Sequence, residues 1–275
     1  MMNWKQLISA KRFGMEEFHE ERQENRSEFQ RDYDRLIFSA PFRRLQNKTQ
    51  VFPLPGSVFV HNRLTHSLEV ASVGRSLGDD VAKALLERHP ELQDSFLPEI
   101  GSIVSAACLA HDLGNPPFGH SGEKAISTFF SEGKGVRLKE KQPNGEQLSP
   151  MEWEDLTHFE GNANAFRILT HQFEGRRKGG FVLTYTTLAS IVKYPFSSSL
   201  AGTKSKFGFF VSEEESFQKI ATELGLTLLN EHPLKYARHP LVYLVEAADD
   251  ICYQMMDIED AYKLKILTTE ETKEL

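Results

Sequence analysis

From Arg63 to Glu87 the apolar residues Leu64, Leu68, Ala71, Leu77, Val81 and Leu85 recur mainly at steps of three and four, the spacing of one buried face on an α-helix. A strand, whose side chains alternate with a period of two, cannot use that pattern. Ile103 to Leu113 and Leu241 to Tyr262 carry the same period. Strand-type alternation is sparse and hairpin signals are few, so the chain is predicted to be all-α, with room for one minor β-hairpin in its polar middle. No internal repeat interrupts it, and residues 1–275 are expected to form a single domain with a core at about 43–260. Two stretches rich in Gly, Ser, Pro, Asn and Lys, Gly133–Pro150 and Ser197–Ser205, read as surface loops or insertions.

Charge and cysteine content exclude several classes. With 32 Lys+Arg against 39 Asp+Glu the formal charge is −7, which argues against a protein that coats nucleic acid non-specifically. Any anionic ligand must therefore meet a local positive site. Cys108 and Cys252 each lie in an apolar stretch, as expected of reduced core thiols, and no disulfide is predicted. The longest uncharged apolar-leaning run, Gly101–Ala110, falls far short of the ~20 residues that cross a bilayer. The charged N-terminus lacks the pattern of a signal peptide. These features read as a cytoplasmic chain without a membrane partner.

The informative chemistry begins at Ala110–Glu123, AHDLGNPPFGHSGE, where an apolar helical run delivers His111 and Asp112 and then breaks at Gly114 and Pro116. Burying a carboxylate is costly unless it is paired or binds a metal, and an adjacent imidazole and carboxylate can reach one cation. Taken alone, the pair reads equally as a core histidine beside a helix cap. Other polar intrusions into apolar helices shift that balance. His66, with Leu64, Leu68 and Ala71 around it, is predicted to point inward. Asp249 shares a helical face with Val242, Val245, Cys252, Tyr253 and Met256 and is predicted buried, whereas Asp250 shares a more polar face with Tyr243, Glu246 and Gln254. Two imidazoles and two carboxylates from three helices suit one divalent metal ion, Mn²⁺, Mg²⁺, Fe²⁺, Co²⁺ or Ni²⁺, with water completing the shell. Without a cysteine ligand a structural zinc site is not expected. An open site of this kind acidifies a water and polarises a phosphoryl oxygen.

The order His66, His111–Asp112, Asp249 resembles the HD metal-dependent phosphohydrolase superfamily. The strings RRLQNKTQVFPLPG, NRLTHSLEV, HDLGNPPFGHSGE, HFEGNA and EAADDICY together resemble one branch of it, the deoxyguanosinetriphosphate triphosphohydrolase-like enzymes, over about Arg43 to Asp260. The resemblance implies an all-α fold, a single divalent metal, and hydrolysis of a deoxynucleoside triphosphate (dNTP), with dGTP the leading substrate, to deoxynucleoside and triphosphate. It implies a homo-oligomer, a hexamer among the candidate assemblies, and admits single-stranded DNA as a partner. Family members continue well beyond the point where this chain stops, so the resemblance also implies a chain lacking the family's C-terminal part.

Carried over by position, His66, His111, Asp112 and Asp249 resemble the metal ligands, and His120 with Glu123 the catalytic pair. A spacing of three on one helical turn lets a carboxylate orient an imidazole. Which group protonates the leaving 5′-oxygen stays open. Arg63 resembles a phosphate-contacting arginine, and His158, Lys193 and Tyr194 further phosphate-side groups. Gln50 and Asp257 resemble readers of the 3′-hydroxyl, and Tyr253 the ring against the deoxyribose, where a ribose would clash. The tract Arg176–Arg177–Lys178 before Gly179 and Gly180 reads as a solvated loop.

Two other readings compete. Another HD-type nucleotidase or phosphodiesterase shares the metal but leaves NPPFGH, HFEGNA and the 3′-hydroxyl readers without a role. A nucleotide- or single-stranded-DNA-binding module with weak turnover has no use for a proton-transfer pair such as His120 and Glu123.

Overall fold

A computed structural model of the chain describes residues 2–17, 26–52, 60–140, 142, 145–175, 178–202 and 206–275. Its α-helices are α1 (Trp4–Leu7), α2 (Glu28–Ile37), α3 (Ala40–Arg44), α4 (Arg63–Arg88), α5 (Ile100–Ala110), α6 (Gly119–Ser131), α7 (Pro150–Thr157), α8 (Gly161–Thr170), α9 (Tyr185–Ile191), α10 (Glu214–Glu223), α11 (Val242–Lys263) and α12 (Thr269–Glu274). The architecture is all-α apart from one small antiparallel hairpin, β1 (Leu228–Asn230) with β2 (Lys235–Tyr236). That hairpin comes later than the expected polar middle, which forms a 3-10 turn at Lys134–Lys139 and α7.

Local sequence explains the helix starts that matter for the site. The Asn62 side chain accepts from the N–H groups of Leu64 and Thr65, both at 3.0 Å, while the Thr65 hydroxyl takes the Asn62 N–H, so two orphan donors are satisfied at the head of α4. α7 opens on the same reciprocal cap between Ser149 and Glu152, with Pro150 as its first residue. α5 is buried along its whole length and packs against α2, α4, α9 and α11, which makes it the centre of the hydrophobic core.

The buried face of α4 differs from the leucine stripe read from its period. Ser67, Val70, Ala71, Gly74, Gly78 and Ala82 are buried, whereas Leu64, Leu68, Leu77 and Leu85 are half-buried along the flanks. The reason is close approach. A Cβ on Gly78 would stand 2.7 Å from the Gly101 Cα, and one on Gly74 would stand 2.6 Å from the Cys108 Sγ. Small residues let the two backbones meet, and the leucines fill the grooves beside the seam.

Ser197, Ser198 and Ala201 are buried rather than surface-exposed, because Ala201 packs with Ala163 and Phe207 beneath Phe196 and Phe210. Ser199, Leu200 and Gly202 are exposed as expected, and 203–205 lie outside the described residues, as do Pro53–Gly56 of the first family-like string and Arg176 and Arg177. Cys108 and Cys252 are both buried and unpaired by disulfide. Among the described residues no helix is long and apolar enough to cross a membrane.

Candidate metal centre and active-site cavity

Three elements converge on one point. His66 sits one turn into α4, fully enclosed. α5 ends at Ala110, so that His111 and Asp112 occupy the first positions of the turn that follows. That turn is held from outside by Lys48, whose Nζ donates to the carbonyls of Leu113 (3.3 Å) and Asn115 (2.6 Å), and by Asn164, which donates to the Gly114 carbonyl at 2.8 Å. Only glycine fits at 114, because a Cβ there would stand 2.0 Å from the Gly161 carbonyl oxygen. α11 brings Asp249 from the opposite side.

Ligand atoms of His66, His111 and Asp112 lie within 4.8 Å of one another. Asp249 joins them: its Oδ1 is 3.0 Å from His66 Nε2 and 3.6 Å from His111 Nε2. Contrary to the burial read from its helical face, Asp249 keeps 36% of its side chain exposed, while Val245, Ala248, Cys252 and Met256 form the inner line of α11. It lies on the edge of the core face and reaches the cavity from there. Asp250 is exposed, as its polar face predicts.

The donor set fits a divalent cation. His111 Nδ1 donates to the Cys108 carbonyl at 2.6 Å, which leaves Nε2 buried without a hydrogen-bond partner at the cluster. A backbone carbonyl on one imidazole nitrogen is the usual orientation device for a metal ligand on the other. Electrostatics agree. Burial opposes a charge on His111, yet Asp112 and Asp249 outweigh it and lift the ring to about 9. Burial likewise disfavours the Asp249 charge, but His111 and His66 hold that carboxyl well below its usual range. Asp112 is lowered against its burial by His111 and Arg63. The cluster attracts positive charge.

Beside it stands a second pair. Phe118 adopts a left-handed conformation, φ 66°, that turns the chain from the Pro116–Pro117 segment into α6. One turn on, His120 Nδ1 is 2.8 Å from Glu123 Oε2. The two differ sharply in setting: the His120 side chain is 84% exposed and that of Glu123 11%. Glu123 Oε1 also accepts from the Gly161 N–H at 2.8 Å, and Lys206 Nζ lies 3.7 Å from its Oε2 and 2.6 Å from Glu160 Oε1. The carboxylate is fixed by the fold, and the imidazole is presented by it.

Both groups line one cavity of about 470 Å³, together with Gln50, Arg63, Lys193, Tyr194 and Tyr253. Arg63 is buried and ion-paired through Nη1 with Asp112, so it is not a solvated surface charge. Lys193 Nζ is 2.8 Å from Glu246 and packs over the Tyr194 ring. Gln50 Oε1 is buried without a partner among the described residues. Tyr253 is 50% exposed and forms cavity wall rather than core. Two expected residues stand elsewhere. His158 is not among the lining residues, because its Nδ1 turns back to the carbonyl (3.1 Å) and carboxylate (3.2 Å) of Glu154 on its own helix. Asp257 lies one turn beyond Tyr253 and hydrogen-bonds its side chain.

Sequence reading missed Asn115, Glu160, Asn162, Lys206 and Glu246, all of which line the cavity. Glu160 had a signal, an acid directly before a helix-opening Gly161, and it caps α8 through the Asn162 N–H. Lys206 had only the apolar FGFF run that follows it, whose Phe207 and Phe209 are fully buried.

Residues 63–178 match the HD domain family. Over its whole length the chain is 46% identical to a deoxyguanosinetriphosphate triphosphohydrolase-like protein of Pseudomonas aeruginosa, covering 60% of that protein. A protein of the same description from Synechocystis is 45% identical over 97% of this chain and 61% of its own length. A deoxyguanosinetriphosphate triphosphohydrolase of Yersinia enterocolitica is 36% identical over 98% of this chain and 57% of its own. The chain thus spans about 60% of the length of the relatives it matches. The histidine–aspartate turn and its partner helices agree with these likenesses: residues 63–178 carry the HD domain, and the chain is similar along its whole length to deoxyguanosinetriphosphate triphosphohydrolase-like proteins.

Proposed function

We propose that the chain carries the centre of a metal-dependent dNTP triphosphohydrolase, with dGTP the leading substrate. The observation that carries this reading is one cavity lined at once by the His66, His111, Asp112 and Asp249 cluster, the His120–Glu123 pair and the cations Arg63, Lys193 and Lys206. A divalent ion held by those four ligands supplies Lewis-acid polarisation of a phosphoryl oxygen and acidifies a water.

The chain's own groups do the rest. Arg63, Lys193 and Lys206 offset the charge of a triphosphate in an otherwise acidic protein. A water oxygen joins the α-phosphorus as the bond from that phosphorus to the 5′-oxygen breaks. His120 Nε2, left free by the Nδ1 bond to Glu123, handles the proton transfer that the departing 5′-oxygen requires, and the proton released by the attacking water makes good the one delivered to that oxygen. Glu123 is a positioning residue, fixed by the Gly161 N–H so that it sets the imidazole's tautomer and direction. The half-exposed Tyr253 ring, hydrogen-bonded by Asp257, flanks the sugar, with Gln50 at the 3′-hydroxyl.

Incubation of the purified chain with each of the four dNTPs and Mn²⁺ or Mg²⁺, followed by ion-exchange separation of the phosphates, tests the reading. Intact triphosphate with deoxynucleoside is expected. Orthophosphate or pyrophosphate would move the chain to another HD reaction, and bound dNTP without product would make it a binding module.

A further inference from the structure

The string HFEGNA carries one buried ionisable group that the reaction proposed above leaves without a task. Glu160 is 1% exposed, yet it lines the same cavity as His120 and Glu123. Its carboxylate is held by the residue two positions on: Oε2 accepts from the Asn162 N–H at 2.7 Å and Oε1 from the Asn162 side-chain amide at 2.9 Å. The intervening Gly161 gives its N–H to Glu123 Oε1 at 2.8 Å, and a Cβ at that position would stand 2.2 Å from Asn115 Oδ1 and 2.9 Å from Glu123 Oε1. Three consecutive residues thus fix two carboxylates around one ammonium. Lys206 Nζ is 2.6 Å from Glu160 Oε1 and 3.7 Å from Glu123 Oε2. Burial opposes the Lys206 charge, but Glu160 first and Glu123 second outweigh it. Burial lifts the Glu160 carboxyl above its ordinary range, and Lys206 pulls against that lift.

The geometry points to Glu160 as a positioning residue for the His120–Glu123 pair: by taking the short contact with Lys206 it stops that ammonium short of Glu123, whose negative charge is then left to the imidazole. A charge-assisted bond at 2.6 Å is strong, whereas 3.7 Å lies beyond hydrogen-bond reach. With Glu160 neutral, only Glu123 remains of the two acids beside Lys206, and the ammonium closes on it. Glu123 Oε2 then divides between that ammonium and His120 Nδ1, which now has it at 2.8 Å. Other charges share the cavity. Arg63, from α4, reaches the start of α6, where a Cβ on Gly119 would stand 2.9 Å from its Nη2, but it is engaged with Asp112. The metal cluster and Lys193, paired with Glu246, also line the cavity. Of α7 and the 3-10 turn Lys134–Lys139, which pack on α6 as well, no residue lines it. What the pair does with its proton rests on the function proposed above; its electrical setting does not.

NMR shifts of the imidazoles, followed through a pH titration of the full chain in Mg²⁺ buffer at low ionic strength and assigned to His120 by the signal missing from His120→Gln, test this role without turnover. Glu160→Gln keeps the size of the side chain and an oxygen that accepts from the Asn162 N–H. It should move the His120 midpoint down by roughly half a unit. Adding Lys206→Met removes the ammonium and leaves no unpaired charge at position 160, and the midpoint should return to the wild-type value or rise above it. An unmoved midpoint in folded Glu160→Gln overturns the role. So does a lowered midpoint that the second substitution fails to restore, because Glu160 would then not act through Lys206. If Glu160→Gln does not fold, Glu160→Asp, which keeps the charge but draws it back by one methylene, should show a smaller shift of the same sign, and no shift there overturns the role equally. Where the chain hydrolyses a dNTP, the limb of the kcat/KM profile that His120 sets should move with the midpoint. A moved midpoint under an unmoved limb supports the role of Glu160 and overturns instead the task given to His120.

Discussion

Two histidines are buried in this protein in opposite electrical states. His111 stands among the carboxylates of Asp112 and Asp249, which overcome burial and raise it to about 9. His239, at the foot of α11, is more deeply enclosed and, among the described residues, meets only backbone: Nε2 pairs with the Leu7 carbonyl at 3.1 Å and Nδ1 accepts from the Leu241 N–H at 3.2 Å. Burial wins there and lowers it to about 4. The same side chain is tuned in opposite directions according to the counter-charges it meets. A buried histidine therefore marks a cation site only where acids surround it.

The largest break in that contrast comes from removing the acids. Asp112→Ala should abolish bound metal and lower turnover by roughly a thousandfold or more, whereas His239→Gln should keep both, as metal analysis beside product rates will show. His120→Ala separates metal from chemistry: metal content should stay at the wild-type level while kcat falls between about a hundredfold and ten-thousandfold. Equal metal loss in both variants would dissolve the distinction between cluster and pair.

His239 itself sets a pH limit on stability. Its folded value is depressed from 6.5 to about 4, so its contribution is present above 6.5 and is lost as pH falls through 4. The shift corresponds to about 3 kcal/mol. Denaturant titrations between pH 7 and 4 should show that slope in the wild type and a flatter one in His239→Gln. The smallest effect is packing. Gly78→Ala pushes a methyl into the Gly101 backbone and should cost about 1–3 kcal/mol, lowering the thermal midpoint with no change in the His120–Glu123 chemistry once folded.

Much of the site was legible because it lies close along the chain. His111 and Asp112 are adjacent, His120 and Glu123 share one turn, and each stands where an apolar run breaks. Asp249 was legible as to residue but not as to burial, since a helical period sorts faces without saying how far the neighbouring helix covers each one. The α4 face was misjudged for a related reason: period alone favours the larger apolar residues, whereas the seam with α5 is made by Gly74, Gly78 and Gly101. His158 was misplaced because its i−4 partner Glu154 competes for the ring.

By itself the sequence determined the all-α class, the helix starts at capped positions such as Asn62, and the local pairs His111–Asp112 and His120–Glu123 of the candidate site, because these depend on contacts within a few residues. Tertiary structure alone decided that Lys206 lies beside both Glu123 and Glu160 and that Arg63 pairs with Asp112. Those facts are distances between segments far apart in the chain, fixed only when close packing brings the segments together.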